Sequence, residues 1–432
     1  MFHQLNLRVN FADADYSSLQ FPKKDKALLR DLALRVAELA SLPVMQERKA
    51  LWAKHNRLEK TRPVLLCDPE NGWNEIIQGK DIRCENSIAR YWEYHFRKQI
   101  FWGERMNDDY VIERVFNLPY VYEEKPWRVR GKTERQSRLK TAEDGKAYHI
   151  ESVLEDYSEI KDILEPEMNI DFDTTNILLQ EAQELFGDVL ETRINTVWFW
   201  SFGLTDDFVF MRGLEKLMYD FYDEPEGIHQ VMEMLFAGTM KKLDFLENNS
   251  LLCLNNDASF VGSGGLGFSD ELPQKDFSGK VRTQDMWGLA ESQVTAGVSP
   301  QLFEEFIFPY HKRLMERFGL TCYACCEPMD FRFDIVKAVK NLRRISVSPW
   351  ANPALLSEKL GADYIYSYKP SPTPLSVSIL DEGQARKDIC NILRMTKNNC
   401  TEIIMKDNHT LGNNPANLLH WVRIVREEID KM

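Results

Sequence analysis

The sequence predicts an α/β fold, and within that class a TIM (β/α)8 barrel with an N-terminal helical extension and inserted loops. Short apolar runs rich in β-branched residues alternate with helical stretches from residue 194 onward, as in parallel sheets covered by helices. These runs end in polar or reactive residues, which a barrel gathers on one face and an open sheet spreads along an edge. A doubly wound sheet also fits the alternation, but no GxGxxG fingerprint follows an early strand. The barrel is therefore favoured.

The N-terminal part of the chain is predicted to be helical. Apolar residues recur near a 3.6-residue period across residues 25–60, and Pro43 separates two helices. An apolar strand follows at 64–67 and stops at an Asp-Pro pair. We therefore expect a helical extension over residues 1–60 and a barrel over residues 61–432.

The second half of the chain supplies most of the expected barrel. Strands are predicted at 194–200, 251–257, 320–325, 343–350, 362–370 and 401–409. Ser299-Pro300 marks the start of a helix, because proline is tolerated at the first helical position. The glycine-rich stretch GSGGLG, residues 262–267, is either a lid or a weak candidate for anion binding. Residues 80–190 have weak periodicity and are expected to hold mixed loops, short strands and helices.

Composition narrows the functional class. The 432 residues carry a net charge of −13 and no run of basic residues, which argues against nucleic-acid binding. The first 17 residues lack the features of a signal peptide, and no apolar run approaches the length of a membrane span. We therefore expect a cytoplasmic protein with reduced cysteines, and leave open whether it is a homodimer.

Three cysteines lie close together in the stretch LTCYACCEPMD. Because side chains alternate along a strand, Cys322 is expected in the core, and either Cys326 (the first choice) or Cys325 is expected to be a thiolate ligand beside Glu327. His409 follows the last predicted strand. Zinc commonly combines thiolate, imidazole and carboxylate ligands, so these groups form a candidate metal site. The alternatives are buried structural cysteines and a solvated histidine.

Two acidic residues follow the first predicted strand. Asp68 and Glu70 are either acid–base groups of a site on the strand ends or simple turn residues. The sequence leaves both interpretations open.

The second half of the chain, roughly residues 190–432, resembles the uroporphyrinogen decarboxylase superfamily. The similar stretches are YDEPEGIHQVMEMLFAGT, VSPQLFEEFIFPYHKRLMERFG, CCEPMD, NLRRISVSPWAN and MKDNHTLGNNPANLLHW. The resemblance implies a TIM barrel, in agreement with the fold that the alternation predicts.

That superfamily contains decarboxylases and cobalamin-dependent methyltransferases. The decarboxylases carry an arginine-rich segment resembling R-x-P-V-W-x-M-R-Q-A-G-R-Y, and this chain has RPVLLCDPENGW in the corresponding place. A pocket for a substrate with many carboxylates is not expected to gain carboxylates of its own. The resemblance is therefore closest to the corrinoid methyltransferase branch.

The methyltransferase branch holds zinc with a His-x-Cys after one strand and a cysteine after the last. In this chain Tyr323-Ala-Cys325-Cys326 stands where the His-x-Cys is expected, and His409 lies close to the place of the late cysteine. This exchange of residue types leaves the exact ligands open and argues against coenzyme M as the thiol. It favours the enzymes that take a methyl group from a methyl ether or a methylamine-like donor.

The resemblance thus implies a zinc-dependent methyltransferase of the O-demethylase component type. It would move a methyl group from a small methylated donor, such as an aryl methyl ether, to the cob(I)alamin of a corrinoid protein, with Zn²⁺ as the Lewis acid. The cobalamin is expected on a partner, because no Asp-x-His-x-x-Gly motif occurs in this chain. The alternatives are a decarboxylase of the same fold and a non-catalytic corrinoid- or ligand-binding barrel.

This function assigns roles to the strand-end residues. The predicted metal ligands are Cys326, Cys325, Glu327 and His409. The predicted general acids are Asp257, Tyr323 and Asp407, and the predicted substrate-binding residues are Asn256, Ser348, Lys369 and Trp287.

Overall fold

The computed structural model describes residue 16 and residues 18–132 and 152–432. The expectation about a signal peptide concerns the first 17 residues, of which only Tyr16 belongs to the described part.

Helices and strands of the described chain alternate regularly only over residues 287–432. The helices are α1 Lys23–Ala40, α2 Pro43–Asn56, α3 Trp73–Ile76, α4 Ser87–Phe101, α5 Phe172–Phe186, α6 Leu204–Arg212, α7 Leu214–Asp223, α8 Pro225–Asn248, α9 Pro300–Phe306, α10 Phe308–Met315, α11 Phe333–Val336, α12 Pro353–Leu360, α13 Glu382–Met395 and α14 Ala416–Ile429. The strands are β1 Val64–Cys67, β2 Val115–Leu118, β3 Val121–Lys125, β4 Arg128–Val129, β5 Ile163–Leu164, β6 Glu167–Asp171, β7 Glu191–Ile194, β8 Phe260–Val261, β9 Gly265–Leu266, β10 Trp287–Ala290, β11 Leu320–Tyr323, β12 Leu342–Val347, β13 Ile365–Tyr368 and β14 Cys400–Met405.

A parallel sheet forms the centre of the molecule. Its strands lie in the order β1-β14-β13-β12-β11-β10, so the first and last strands of the chain are neighbours. Leu65 pairs with Ile403, and Cys67 pairs with Met405. Every residue of β1 and β10 is buried, as expected for parallel strands covered by helices on their faces. The predicted α/β class is therefore confirmed.

The closed barrel is not detected in the described part of the chain. Beside the six-stranded sheet stands a separate parallel pair, β2 with β7, and the predicted strand at 251–257 is irregular. The reason lies in the hydrogen bonds: the side chain of Asn255 takes up both backbone groups of Trp287, with Oδ1 accepting at 2.9 Å and Nδ2 donating at 3.0 Å. A side-chain amide thus replaces the strand pairing that would close the sheet here.

The predicted strand at 194–200 is also shorter than expected. Of the residues in this predicted strand, only Ile194 belongs to β7, and residues 195–200 have no regular strand structure. The indole Nε1 of Trp198 donates to the backbone oxygen of Leu251 at 2.8 Å, and the backbone N–H of Phe202 donates to Leu289 at 2.8 Å. The segment between them therefore crosses the gap between β7 and β10 as a wall of aromatic side chains.

The predicted N-terminal helices are present. Pro43 occupies the first turn of α2, and α1 packs against α4 and α5. The helix predicted after Ser299 is also present, with the Ser299 hydroxyl accepting from the backbone N–H of Leu302. None of the helices in the described part of the chain is both long and apolar enough to cross a membrane.

Candidate functional site

Charged side chains meet where β1 and β14 end side by side. Lys406 follows β14, and its Nζ lies 4.0 Å from Oε1 of Glu70 and 3.7 Å from Oδ1 of Asp407. The backbone N–H of Asp407 donates to Oε2 of Glu70 at 3.0 Å. Glu70 and Asp407 have positive φ angles of 47° and 60°, a conformation that costs energy in residues other than glycine. The backbone is thus strained at the point where these groups are brought together.

Burial changes the protonation of this cluster. Burial raises the pKa of Glu70 to about 8, although the nearby Lys406 ammonium opposes the rise. Burial also raises the pKa of Asp68, whose Oδ1 accepts from the Glu70 backbone at 3.0 Å and from the Trp73 indole at 2.9 Å. Lys406 is buried, which opposes its charge, but Cys325, Asp407 and Glu70 raise its pKa. The cluster therefore offers a carboxylic acid beside a fixed cation at neutral pH.

The two adjacent thiols lie behind this cluster. β11 ends at Tyr323, and Ala324 has a positive φ of 75°, so the chain turns before the cysteines and their sulfur atoms approach to 3.5 Å. The Sγ of Cys325 lies 3.4 Å from the Ser263 hydroxyl and 3.9 Å from Nζ of Lys406.

These neighbours give the two thiols different pKa values. The hydrogen bond from Cys326, together with the Lys406 charge, lowers the pKa of Cys325 to about 7 despite burial. The pKa of Cys326 is raised, first by the same hydrogen bond and second by burial of the thiol. Cys326 in turn lies 3.8 Å from Oδ2 of Asp407.

The other two predicted metal ligands do not join the thiols. Glu327 is buried, and its two carboxylate oxygens accept from the backbone N–H groups of Ser292 at 2.8 Å and Cys325 at 2.9 Å. His409 is exposed, with Nδ1 3.5 Å from the side-chain amide of Asn71. Within residues 18–132 and 152–432, no group of three or more His, Cys, Asp or Glu side chains is arranged to hold a metal ion.

The residues present therefore do not fit the four-ligand zinc set that the sequence predicts. The thiol pair is assembled, but it faces an ammonium group, and the carboxylate of Glu327 is occupied by backbone donors. Zinc binding remains a prediction from the sequence resemblance.

A cavity of 80 Å³ opens beside the acid–base cluster. Asp68, Glu70 and Lys406 form its polar end, and Nζ of Lys406 lies 5.9 Å from the centre of the Trp200 ring. Aromatic side chains form much of the remaining wall: Trp198, Phe199, Trp200, Phe260 and Trp287. Lys406 is the basic residue in this wall, and no arginine of the described chain lines it.

The glycine-rich stretch packs tightly against the sheet. Gly262 and Gly264 have φ angles of 61° and 119°. A Cβ at Gly262 would lie 2.8 Å from the Cys322 sulfur, and one at Gly264 would lie 2.8 Å from Cγ2 of Ile404. These glycines allow close approach of the backbone to the strands and place Ser263 beside Cys325.

Two of the predicted acids lie elsewhere. Asp257 forms an ion pair with Arg193, outside the wall of this cavity. Tyr323 is fully buried in the core, with its hydroxyl 3.0 Å from Nδ1 of His311 and 3.5 Å from Oγ of Ser292. Asp407 is the predicted acid that lies in the cluster, where it contacts Lys406.

The predicted substrate-binding residues are also divided. Trp287 lies in the cavity wall, where its indole donates to the backbone of Gly267 at 3.0 Å. Asn256 donates to the backbone of Leu272, and Ser348 is buried. Lys369 is buried and lies 2.5 Å from the Ser367 hydroxyl. The last three are not among the residues that line the cavity.

Sequence reasoning missed Lys406 and the aromatic wall at 198–200. Lys406 had one signal, its position at the end of the last predicted strand, but the roles at that strand end were assigned to Asp407 and His409. The wall was predicted as a regular strand, which hid the fact that its tryptophans face a cavity. Asp68 and Glu70, left open as acid–base groups or turn residues, lie at the polar end of the site.

Comparisons with known proteins assign no family to this chain. No protein-family model matches the sequence, and no curated protein matches it. Among solved structures, a methyltransferase from Methanosarcina mazei is similar with a TM-score of 0.46 and 9% sequence identity, covering 89% of this chain and 98% of that one. A similarity at this level carries no argument about function, which has to be argued from the site itself.

Proposed function

We propose that this protein is a methyltransferase that takes a methyl group from a small methylated donor and passes it to the cob(I)alamin of a corrinoid protein. The proposal includes a barrel-like arrangement of the strands, interrupted at Asn255. One observation carries it: a buried carboxylic acid, Glu70, lies beside the Lys406 ammonium at the end of a tryptophan-lined cavity. The sequence resemblance to corrinoid methyltransferases gives the reaction class.

The chemistry needs an acid because methyl ethers have a poor leaving group. When the bond between the methyl carbon and oxygen breaks, the electron pair stays on oxygen, and the developing charge must be neutralised. Glu70 is suited to donate a proton to that oxygen, because burial keeps its carboxyl protonated up to a pH of about 8. Lys406 then stabilises the carboxylate that remains on Glu70. The corrinoid of the partner, when bound, supplies the nucleophile that accepts the methyl group.

Two further features support the assignment of roles. Asp68 accepts from the Glu70 backbone N–H, and Asp407 donates its own N–H to the Glu70 carboxylate, so the acid is held at both ends. The cavity volume of 80 Å³ lies below the range of pockets that hold drug-sized ligands, which favours the smallest methylated donors, such as an alkyl methyl ether or a methylamine-like compound. A decarboxylase for a polycarboxylate substrate is less well supported, since Lys406 is the basic residue of the wall.

The test is methyl transfer to free cob(I)alamin, followed by its absorption change under anaerobic conditions. Methanol, 2-methoxyphenol and trimethylamine are offered in turn. We expect one class of donor to be turned over, and Glu70→Gln to lose about 10²–10⁴-fold in kcat, the usual contribution of a general acid. Glu358→Gln, the same change at an exposed position, is the matched control. Equal rates for Glu70→Gln and wild type would contradict the assigned role.

A further inference from the structure

A second cavity lies on the other side of the aromatic wall. Its volume is 330 Å³, within the range of pockets that hold small ligands, and it shares Val197 to Trp200 with the first cavity. Its other aromatic walls are Tyr122, Trp127 and Phe202. A Cβ at Gly238 of α8 would lie 2.4 Å from the Trp127 ring, so this glycine lets the indole pack directly on the helix. The aromatic lining is thus built into the packing of the fold.

A mostly buried acidic residue is part of the wall of this cavity. Asp206 lines it and is 7% exposed, and its Oδ1 is buried with no hydrogen-bond partner in the described part of the chain. Its other oxygen faces the neighbouring carboxyl of Glu291, and only a glycine fits between them, because a Cβ at Gly203 would lie 2.1 Å from Oε1 of Glu291. A buried carboxylate is costly unless a positive charge lies close to it.

The charges around the cavity favour a cation. Lys242, the lysine of this wall, is paired with Glu124 at 2.7 Å. Asp207 adds a further carboxylate to the lining. Burial raises the pKa of Asp206 to about 6, which still leaves it largely ionised above neutral pH.

We propose that this second cavity binds an organic monocation of the alkylammonium class. The ammonium head would lie among the aromatic side chains of the wall, which include Trp127 and Trp198, and offset the charge of Asp206. Aromatic faces attract such cations, and the attraction strengthens when water is excluded. A hard metal ion would need several oxygen ligands in place of aromatic rings. The proposal concerns binding alone and does not rest on the methyltransferase reaction.

The experiment is isothermal titration of the whole chain with choline and with 3,3-dimethylbutan-1-ol, its uncharged isostere. We expect choline to bind at least 10-fold more tightly than the alcohol. Asp206→Asn should remove at least a factor of 10 in choline affinity, and the exposed Asp363→Asn should leave it unchanged. Thermal unfolding checks that each variant folds, and Trp127→Leu provides a second variant if Asp206→Asn does not fold.

Three results would overturn the proposal. They are no binding of choline, equal binding of the alcohol, and unchanged affinity in Asp206→Asn or, in its place, in Trp127→Leu. Because the readout is heat of binding and no methyl group is transferred, failure here is distinct from failure of the proposed reaction. Competition by MgCl₂ at equal concentration would also contradict it, since it would show a metal-ion site.

Discussion

The ammonium of Lys406 lies 4.0 Å from the Glu70 carboxylate and joins the first and last strands of the sheet at their carboxyl ends. Burial alone would favour a neutral lysine and a neutral glutamic acid. Burial opposes the charge of the lysine, but four groups that bear or can acquire negative charge raise its pKa: Cys325, Asp407, Glu70 and Cys326. Burial raises the pKa of the Glu70 carboxyl to about 8. The site thus combines a proton donor and a permanent cation in one cavity.

The pH dependence of turnover follows from Glu70. Because the proposed acid must be protonated, and its pKa is raised to about 8, kcat should be constant below that pH and fall as the pH rises through it. Glu70→Gln should remove this descending limb together with most of the activity. The measurement is kcat between about pH 6 and pH 10, an interval that extends roughly two units to either side of the raised pKa of Glu70. A wild-type profile with no limb near 8 speaks against Glu70 as the acid.

Removing the cation should move that limb. Lys406 lowers the pKa of Glu70, so Lys406→Met should shift the descending limb to a higher pH while reducing kcat. The pH profile of the residual activity measures the shift. Lys397→Met, an exposed change of the same type, should leave the limb in place. If the limb of Lys406→Met moves down or stays, the two side chains are not coupled as described.

A buried ion network beneath the site should dominate stability. Glu402 accepts from Nη2 of Arg344 at 3.1 Å and lies 3.0 Å from Nε2 of His55, and all three side chains are buried. Glu402→Gln leaves the Arg344 charge without its counter-ion, so we expect a loss of about 3–5 kcal/mol in the free energy of unfolding. Urea unfolding measures it. Glu358→Gln should change stability by less than about 0.5 kcal/mol. A similar small loss for Glu402→Gln would refute the network's role.

The same network predicts two pH limits for stability. Despite burial, Arg344 and His55 hold the pKa of Glu402 below its ordinary range, so its contribution is present above that range and lost as the pH falls. Burial opposes the charge of His55, but Cys400 and Glu402 raise its pKa to about 9, so its contribution is lost as the pH rises through 9. Thermal unfolding should show both limits, and His55→Asn should lose the upper one.

The glycine-rich stretch should tolerate no side chain at Gly264. Its φ of 119° and the approach of Ile404 to 2.8 Å from an added Cβ both oppose alanine. We expect Gly264→Ala to cost about 1–3 kcal/mol in the free energy of unfolding, as for strained backbone positions. Gly297→Ala is the control, because an added Cβ there meets nothing within 4 Å. Equal unfolding midpoints for the two variants would show that the stretch is free to adapt.

The late histidine distinguishes the sequence-based ligand set from the observed geometry. His409 is exposed beside Asn71 and does not join the thiol pair, so His409→Ala should keep wild-type turnover and metal content. Elemental mass spectrometry of anaerobically purified protein measures the metal, with Cys325→Ala and Cys326→Ala in parallel. Loss of about one zinc per chain in His409→Ala, the stoichiometry of a single mononuclear site, would restore the predicted set.

Local sequence signals predicted individual helices and strands better than they predicted the contacts between them. The helices before and after the break at Pro43 and most of the strand predicted at 320–325, which ends at Tyr323, follow from patterns that act over a few residues. The pairing of β1 with β14 joins distant parts of the chain, and it follows from the predicted barrel, whose last strand lies beside its first, and from no local pattern. The interruption at Asn255 escaped prediction because it depends on one amide bonding to Trp287.

The candidate site shows the same division. Strand-end position directed attention to Asp407 and left Glu70 open, and both lie within 4.0 Å of Lys406. Alternation along a strand did not anticipate that the positive φ of Ala324 would bring the two thiols together. Nor did it indicate that the Glu327 carboxylate would accept hydrogen bonds from backbone N–H groups, because this contact depends on the turn at Ser292.

The most direct test of the central claim is the mass of the methylcobalamin formed from a donor carrying a CD₃ group on its oxygen or nitrogen. Wild-type protein is incubated with cob(I)alamin and labelled donor, with Glu70→Gln and Glu358→Gln alongside. We expect methylcobalamin carrying all three deuterium atoms in wild type and in Glu358→Gln, and little of it in Glu70→Gln. Unlabelled cobalamin in every sample, with intact donor, would contradict methyl transfer by this protein.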